Sequence, residues 1–270
     1  MTTAEAFARA RADRRAALVG YLPAGFPSYD GCVAALTAMV DGGVDVVEVG
    51  LPYSDPVIDG PTIQAAADQA LRGGTRTRDV LRTVEAVATT GASVVVMTYW
   101  NPVLRYGVEA FARDLAAAGG RGLITPDLIP EEAGEWIAAA DAAGLDRIFL
   151  VAPSSSEQRI ARTVAACRGW VYAASTMGVT GAREHTSTAA PGLVARTRQV
   201  MQSSGRELPI GVGLGVSNGA QAAEVAEFAD GVIVGSAFVR CLLDAGSEAD
   251  GVAAAARLAT DLAAGVRHAH

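Results

Sequence analysis

The sequence predicts an α/β fold: a single (β/α)8 TIM barrel with an extra N-terminal helix. Three observations carry that expectation. Eight short apolar runs rich in β-branched residues recur along the chain, each followed by an Ala/Leu-rich stretch of helical pattern. No Pro/Ser-rich linker or low-complexity block divides the 270 residues, so 1–270 reads as one domain of barrel size. The loops richest in Gly, Pro and aromatic residues all follow the strand-like runs, at the end of a barrel where chemistry is placed.

The elements follow in order. Thr2-Thr3-Ala4-Glu5 carries a capping signal and opens a helix ahead of the first strand. The eight strand-like runs are 17–22, 44–49, 93–98, 122–125, 147–151, 170–174, 209–212 and 231–234. They are apolar on both faces, as expected where helices cover a parallel sheet. Pro61 suits the first turn of the helix after the second run. Pro130-Glu131-Glu132 repeats that signal, with acids at the positive helix end. Ser154-Ser155-Ser156-Glu157 has capping-box spacing, and Asn218 suits an N-cap. Five loops stand out at 50–61, 99–106, 175–191, 213–217 and 235–236. The third is long and polar and reads as a lid over a site.

Composition narrows the function classes. Half the residues are hydrophobic and 19% charged, ample for a large core. The formal net charge of −7 argues against a nucleic-acid or anionic-membrane surface. No apolar run approaches the roughly 18 residues of a membrane span. The N-terminal stretch has alternating charges and no apolar signal region. Cys32, Cys167 and Cys241 are widely spaced, so neither disulfides nor a zinc site is indicated. A cytoplasmic protein is expected.

Two acids stand out. Glu48 sits within Val46-Val47-Glu48-Val49, two residues after Val46 and so on the same strand face. A glutamate in such a run is locally inconsistent with burial, which marks a functional position or a structural ion pair. Facing the barrel mouth, its carboxyl would be desolvated and its pKa raised into the range of proton exchange near neutrality. Asp59 lies before Gly60-Pro61 in the loop that follows. Its local context equally fits a turn or N-cap aspartate.

Other residues suggest a ligand. Gly235-Ser236 follows the last apolar run, where helix N-terminal amides and a hydroxyl suit an anion. Gly215 lies in Gly213-Leu214-Gly215-Val216-Ser217, whose glycines let backbone approach the same anion. Simple tight turns are the other reading. Tyr21 ends the first run, Tyr99-Trp100-Asn101-Pro102 ends the third, and Tyr172 lies inside the sixth. These aromatics either bound a flat apolar ligand or pack in the core. Gly178-Val179-Thr180-Gly181 opens the long loop, and His185 reads as an ordinary loop residue.

Taken together, these motifs resemble the tryptophan synthase α subunit family. The resemblance rests above all on the run from Glu48 to Gln64, Glu48-Val49-Gly50-Leu51-Pro52-Tyr53-Ser54-Asp55-Pro56-Val57-Ile58-Asp59-Gly60-Pro61-Thr62-Ile63-Gln64. Tyr99-Trp100-Asn101-Pro102, Pro126-Asp127-Leu128, Gly178-Val179-Thr180-Gly181, Gly213–Ser217 and Gly235-Ser236-Ala237 match in order. The resemblance implies a (β/α)8 lyase that cleaves indole-3-glycerol phosphate to indole and glyceraldehyde 3-phosphate, without a cofactor of its own. It implies Glu48 as the acid–base group at the ring carbon and Asp59 as the group stabilising positive charge at the ring nitrogen. Tyr172 would lie beside the breaking bond and Tyr21 beside the indole ring. Thr180, Gly181, Gly215, Gly235 and Ser236 would hold substrate, chiefly its phosphate. Asp127 would lie near the partner-facing side.

It further implies a pyridoxal-phosphate-dependent β subunit as partner, in an αββα heterotetramer. The loop 52–60 and the lid would meet that partner. Two other readings fit the same residues: a chain that mainly activates a β partner, or a stand-alone lyase that releases indole.

Overall fold

In the computed structural model, which describes residues 1–174 and 189–267, nine strands form one parallel sheet. They are β1 (Ala17–Pro23), β2 (Val46–Gly50), β3 (Ser93–Met97), β4 (Gly122–Ile124), β5 (Asp146–Ile148), β6 (Leu150–Val151), β7 (Val171–Ala174), β8 (Ile210–Gly213) and β9 (Gly231–Val234). Their order is β5-β4-β3-β2-β1-β9-β8-β7-β6. Only Phe149 separates β5 from β6, so the two ends of this order are continuous in the chain and the barrel closes there.

That break is the main departure from the eight expected runs. The fifth run is one crossing made of two pieces. At its base Arg147 exchanges backbone hydrogen bonds with Arg168, at 3.1 and 2.9 Å, in an isolated antiparallel bridge. The parallel ladder to β7 begins only at Phe149, whose carbonyl accepts from the Tyr172 N–H at 3.1 Å.

The extra N-terminal helix is Thr3–Ala12, and Thr2 and Glu5 cap it reciprocally. Its apolar face seals the bottom of the barrel. Ala6, Phe7 and Ala10 pack against Ala17, Val19, Val46, Val95, Ile148 and Trp170. The Phe7 and Trp170 rings lie 5.7 Å apart. Large interior rings fit because neighbouring strands offer glycine. A Cβ at Gly211 would fall 2.5 Å from the Trp170 ring, and one at Gly213 would fall 2.7 Å from the Tyr172 hydroxyl. With the lower end plugged, the opposite mouth is left for a ligand.

Several local expectations change. Pro61 does open the helix Pro61–Arg72, with Gly60 as its N-cap. The cap of Glu157–Ala166 is Ser156, which accepts from the Arg159 N–H, so the spacing counted from Ser154 is not the one used. Pro130–Glu132 forms a 3-10 turn, and the helix proper runs over Gly134–Ala143. The expected loop at 99–106 is largely the helix Trp100–Tyr106, because the Asp127 carboxylate caps the Trp100 N–H at 2.9 Å. The end of the long polar loop is helical too, since Ala189–Ser203 begins before Pro191. Among the described residues no helix is long and apolar enough to cross a membrane.

Candidate active site

The strand register sets the site. Tyr21 on β1 pairs with Glu48 on β2, and Glu48 pairs with Val95 on β3. Val95 belongs to the interior cluster, so this row faces inward. One level higher, Met97 pairs with Ile124. Across the barrel Leu150 pairs with Tyr172. Above them opens a cavity of about 560 Å³. Tyr21, Glu48, Asp59, Tyr172, Gly215, Gly235 and Ser236 all line it. Residues as distant in the chain as Tyr21 and Ser236 thus converge on one mouth only because the barrel closes. Thr180, Gly181 and His185 lie outside the described residues.

Glu48 is 1% exposed, and its Oε1 has no hydrogen-bond partner. No Lys, Arg or His forms an ion pair with it among the described residues, which removes the structural ion pair as its explanation. Burial alone raises its pKa to about 8. The group is a neutral acid at pH 7 with a proton to give.

Asp59 reaches the same cavity from the loop. Gly60 takes the N-cap position, so Asp59 is not the cap that its local sequence suggested. Its carbonyl accepts from Gln64 Nε2 at 2.7 Å, which ties the residue to the first turn of the following helix. Burial raises its pKa to about 6, and the Tyr99 hydroxyl acts in the opposite direction. The two acids are therefore held in different states: near neutrality Asp59 is mainly a carboxylate and Glu48 a carboxylic acid.

The tyrosines share this environment. Burial, then the carboxylates Asp59 and Glu48, push the Tyr21 phenol well above its ordinary value. Tyr172 is raised in the same way, with Glu48 the stronger of the two charges. Both remain neutral hydroxyls. The apolar part of the lining includes Met97, Leu128, Phe149, Leu150, Leu214 and Ile233. Such walls suit a flat aromatic ring.

The loops after β8 and β9 suit an anion. Gly215 has φ +78°, a conformation that favours glycine, and it turns the backbone after β8 into the cavity. Gly235 precedes the helix Ser236–Leu243, and Ser236 is its first residue. The free amides of that helix end and the Ser236 hydroxyl face the same space.

One contributor escaped the sequence reading. Tyr99 was legible as a mouth aromatic, but the use of its hydroxyl was not. That oxygen accepts the Val57 and Ile58 N–H groups at 3.2 and 3.1 Å. Its partners lie about forty positions earlier, so no local pattern announces the contact. Arg159 and Thr125 also line the cavity without a local signal.

Comparison with known proteins decides the family. The family model described as tryptophan synthase alpha chain matches residues 7–267. The chain belongs to the tryptophan synthase alpha chain family. The tryptophan synthase alpha chain of Acidothermus cellulolyticus is 64% identical over 263 residues, covering 97% of this chain and 96% of that one. That of Salinispora arenicola is 65% identical over 262 residues, with coverage of 97% and 96%. A chain in the structure of Mycobacterium tuberculosis tryptophan synthase superposes with a TM-score of 0.91, at 59% identity and 98% coverage of each chain. As a member of that family, the chain is a lyase of tryptophan biosynthesis. It cleaves indole-3-glycerol phosphate to indole and glyceraldehyde 3-phosphate. Membership also implies a β-subunit partner.

Proposed function

We propose that Glu48 and Asp59 divide the α reaction between them. Glu48 gives its proton to the indole carbon that bears the glycerol phosphate chain. The Asp59 carboxylate accepts the ring N–H and stabilises the positive charge that protonation creates there. The bond between ring carbon and side chain then breaks, and its electron pair returns to the ring. The hydroxyl on the departing carbon becomes the aldehyde carbonyl, and its proton passes to the Glu48 carboxylate. Glu48 ends in its starting state, so the cycle needs no cofactor.

The observation that carries this reading is the state of the two acids. One cavity holds a buried neutral acid with a pKa near 8 and a carboxylate with a pKa near 6. Gly215, Gly235 and Ser236 receive the substrate phosphate, and Thr180 and Gly181 are assigned to substrate binding from the family motif. Tyr21 flanks the ring, and Tyr172 lies beside the breaking bond. The test is indole release from indole-3-glycerol phosphate by the Glu48→Gln chain. Release should disappear while the far-UV and near-UV circular dichroism stay native; an active variant overturns the assignment.

We further propose that 1–270 acts as one domain in the cytoplasm, within an αββα assembly whose β subunit carries pyridoxal phosphate. Support comes from the rim of the mouth. The exposed large hydrophobic side chains of the described residues are Val57 and Leu104, at 76% and 49% exposure. Val57 lies on the loop 52–60, its N–H bonded to Tyr99, and Leu104 lies on the helix Trp100–Tyr106. Exposed apolar side chains on these two elements suit a partner that takes up the indole. Sedimentation of the mixed subunits tests the stoichiometry.

A further inference from the structure

We propose that Tyr99 is the positioning residue for Asp59, a hydroxyl clamp that fixes the catalytic loop onto the end of β3. The proposal rests on the assignment of Asp59 to the ring nitrogen. Its basis is the geometry of one oxygen. Tyr99 Oη accepts from the Val57 N–H at 3.2 Å and from the Ile58 N–H at 3.1 Å. Both lone-pair directions are thereby used, and the phenol proton is left to face the Asp59 carboxylate. Two consecutive amides on one acceptor pin the chain immediately before Asp59.

The clamp is itself anchored. Tyr99 lies two residues beyond the end of β3 and is 6% exposed. The next residue, Trp100, gives its N–H to the Asp127 carboxylate at 2.9 and 3.1 Å. The Tyr99 ring lies 5.1 Å from that of Tyr53, at the start of the same loop. The loop is thus held near both ends by one side chain on a rigid strand end. Placement of a reacting group by a rigid element is what preorganised catalysis requires. Without the hydroxyl, Asp59 would keep the hydrogen bond from Gln64 to its carbonyl but lose its lateral tether.

The hydroxyl also favours the ionised carboxylate, the form that must meet the ring nitrogen. Its loss should therefore move the acid limb of the kcat/KM profile upward.

Tyr99→Phe keeps the ring and deletes only the clamp. Three variants of the full chain are compared with the parent by indole release across pH: Tyr99→Phe, Asp59→Asn, and the two combined. Tyr99→Phe should lower kcat/KM by about tenfold or more, and raise the acid limb by roughly one pH unit. In the Asp59→Asn background the same change should cost less than about twofold, because its effect acts through that carboxylate. Amide exchange at Val57 and Ile58 should quicken in Tyr99→Phe. A Tyr99→Phe chain with unchanged rate and acid limb, beside a crippled Asp59→Asn chain, overturns the clamp alone. Multiplicative losses in the double variant also overturn it. An active Asp59→Asn chain overturns both the clamp and the assignment of Asp59 beneath it.

Discussion

Tyr21 and Glu48 occupy paired register positions on β1 and β2, so a phenol and a carboxylic acid stand side by side at one level of the barrel mouth. Glu48 is 1% exposed, and desolvation is the main cause that raises the Tyr21 phenol. The low-dielectric floor keeps both protons in place at neutral pH.

The pH dependence of catalysis follows. The proposed division of roles requires Asp59 ionised and Glu48 protonated. The kcat/KM profile should be a bell, rising through about 6 and falling through about 8. Glu48→Gln should cost at least about a thousandfold, and Asp59→Asn about a hundredfold. Residual turnover of Asp59→Asn should lose the acid limb and keep the alkaline one. Steady-state indole release from pH 5 to 9 checks the shape; a flat profile would contradict the division of roles.

Glu48 should also weaken the fold as pH rises. Its pKa is about 8 in the folded chain, against an ordinary 4.5. Between these values the folded state binds more protons than the unfolded state, so stability falls with increasing pH. By pH 8 the loss is bounded by roughly 5 kcal/mol. Gln carries no such cost. Glu48→Gln should therefore unfold at higher urea than the parent at pH 8, with the gap closing toward pH 4.5. Equal midpoints at both pH values would show that the carboxyl is less desolvated than its burial implies.

Two glycines on β8 should separate folding from function. A methyl at Gly211 would meet the fully buried Trp170 ring at 2.5 Å, in the sealed lower half of the barrel. Gly211→Ala should cost about 1–3 kcal/mol by overpacking. A methyl at Gly213 would meet the Tyr172 hydroxyl at 2.7 Å, at the open mouth. Gly213→Ala should displace that ring and lower kcat/KM, with a smaller stability loss. Urea unfolding and indole release, measured on both variants, should rank them in opposite orders.

Arg14 offers a stabilising change away from the site. The first helix ends with Arg14 N–H bonded to Arg11 O and Arg15 N–H bonded to Ala10 O, which places Arg14 at φ 55°. Gly43 and Gly74 occupy the equivalent left-handed position after Tyr29–Asp41 and Pro61–Arg72. Arg14→Gly removes the Cβ strain of that conformation and should stabilise by about 0.5–1 kcal/mol. A urea midpoint below that of the parent would show that the Arg14 side chain contributes more than its backbone costs.

The sequence by itself determined the parts that depend on neighbours in the chain. β-Branched runs and helical spacing located the strands, and capping residues such as Thr2, Pro61 and Asn218 marked helix starts, because these signals act over a few residues. Glu48 was legible for the same reason, a charge within an apolar strand. The tertiary structure decided what depends on distant groups. It split the fifth crossing at Phe149, because Arg147 bonds to Arg168 before the ladder to β7 begins. It turned 99–106 into a helix by bringing Asp127 to the Trp100 N–H. It took Asp59 from an ordinary turn residue to a half-buried carboxylate at the cavity, with the preceding backbone bonded to Tyr99. Burial and long-range hydrogen bonds are properties of the closed barrel, and no local stretch of sequence contains them.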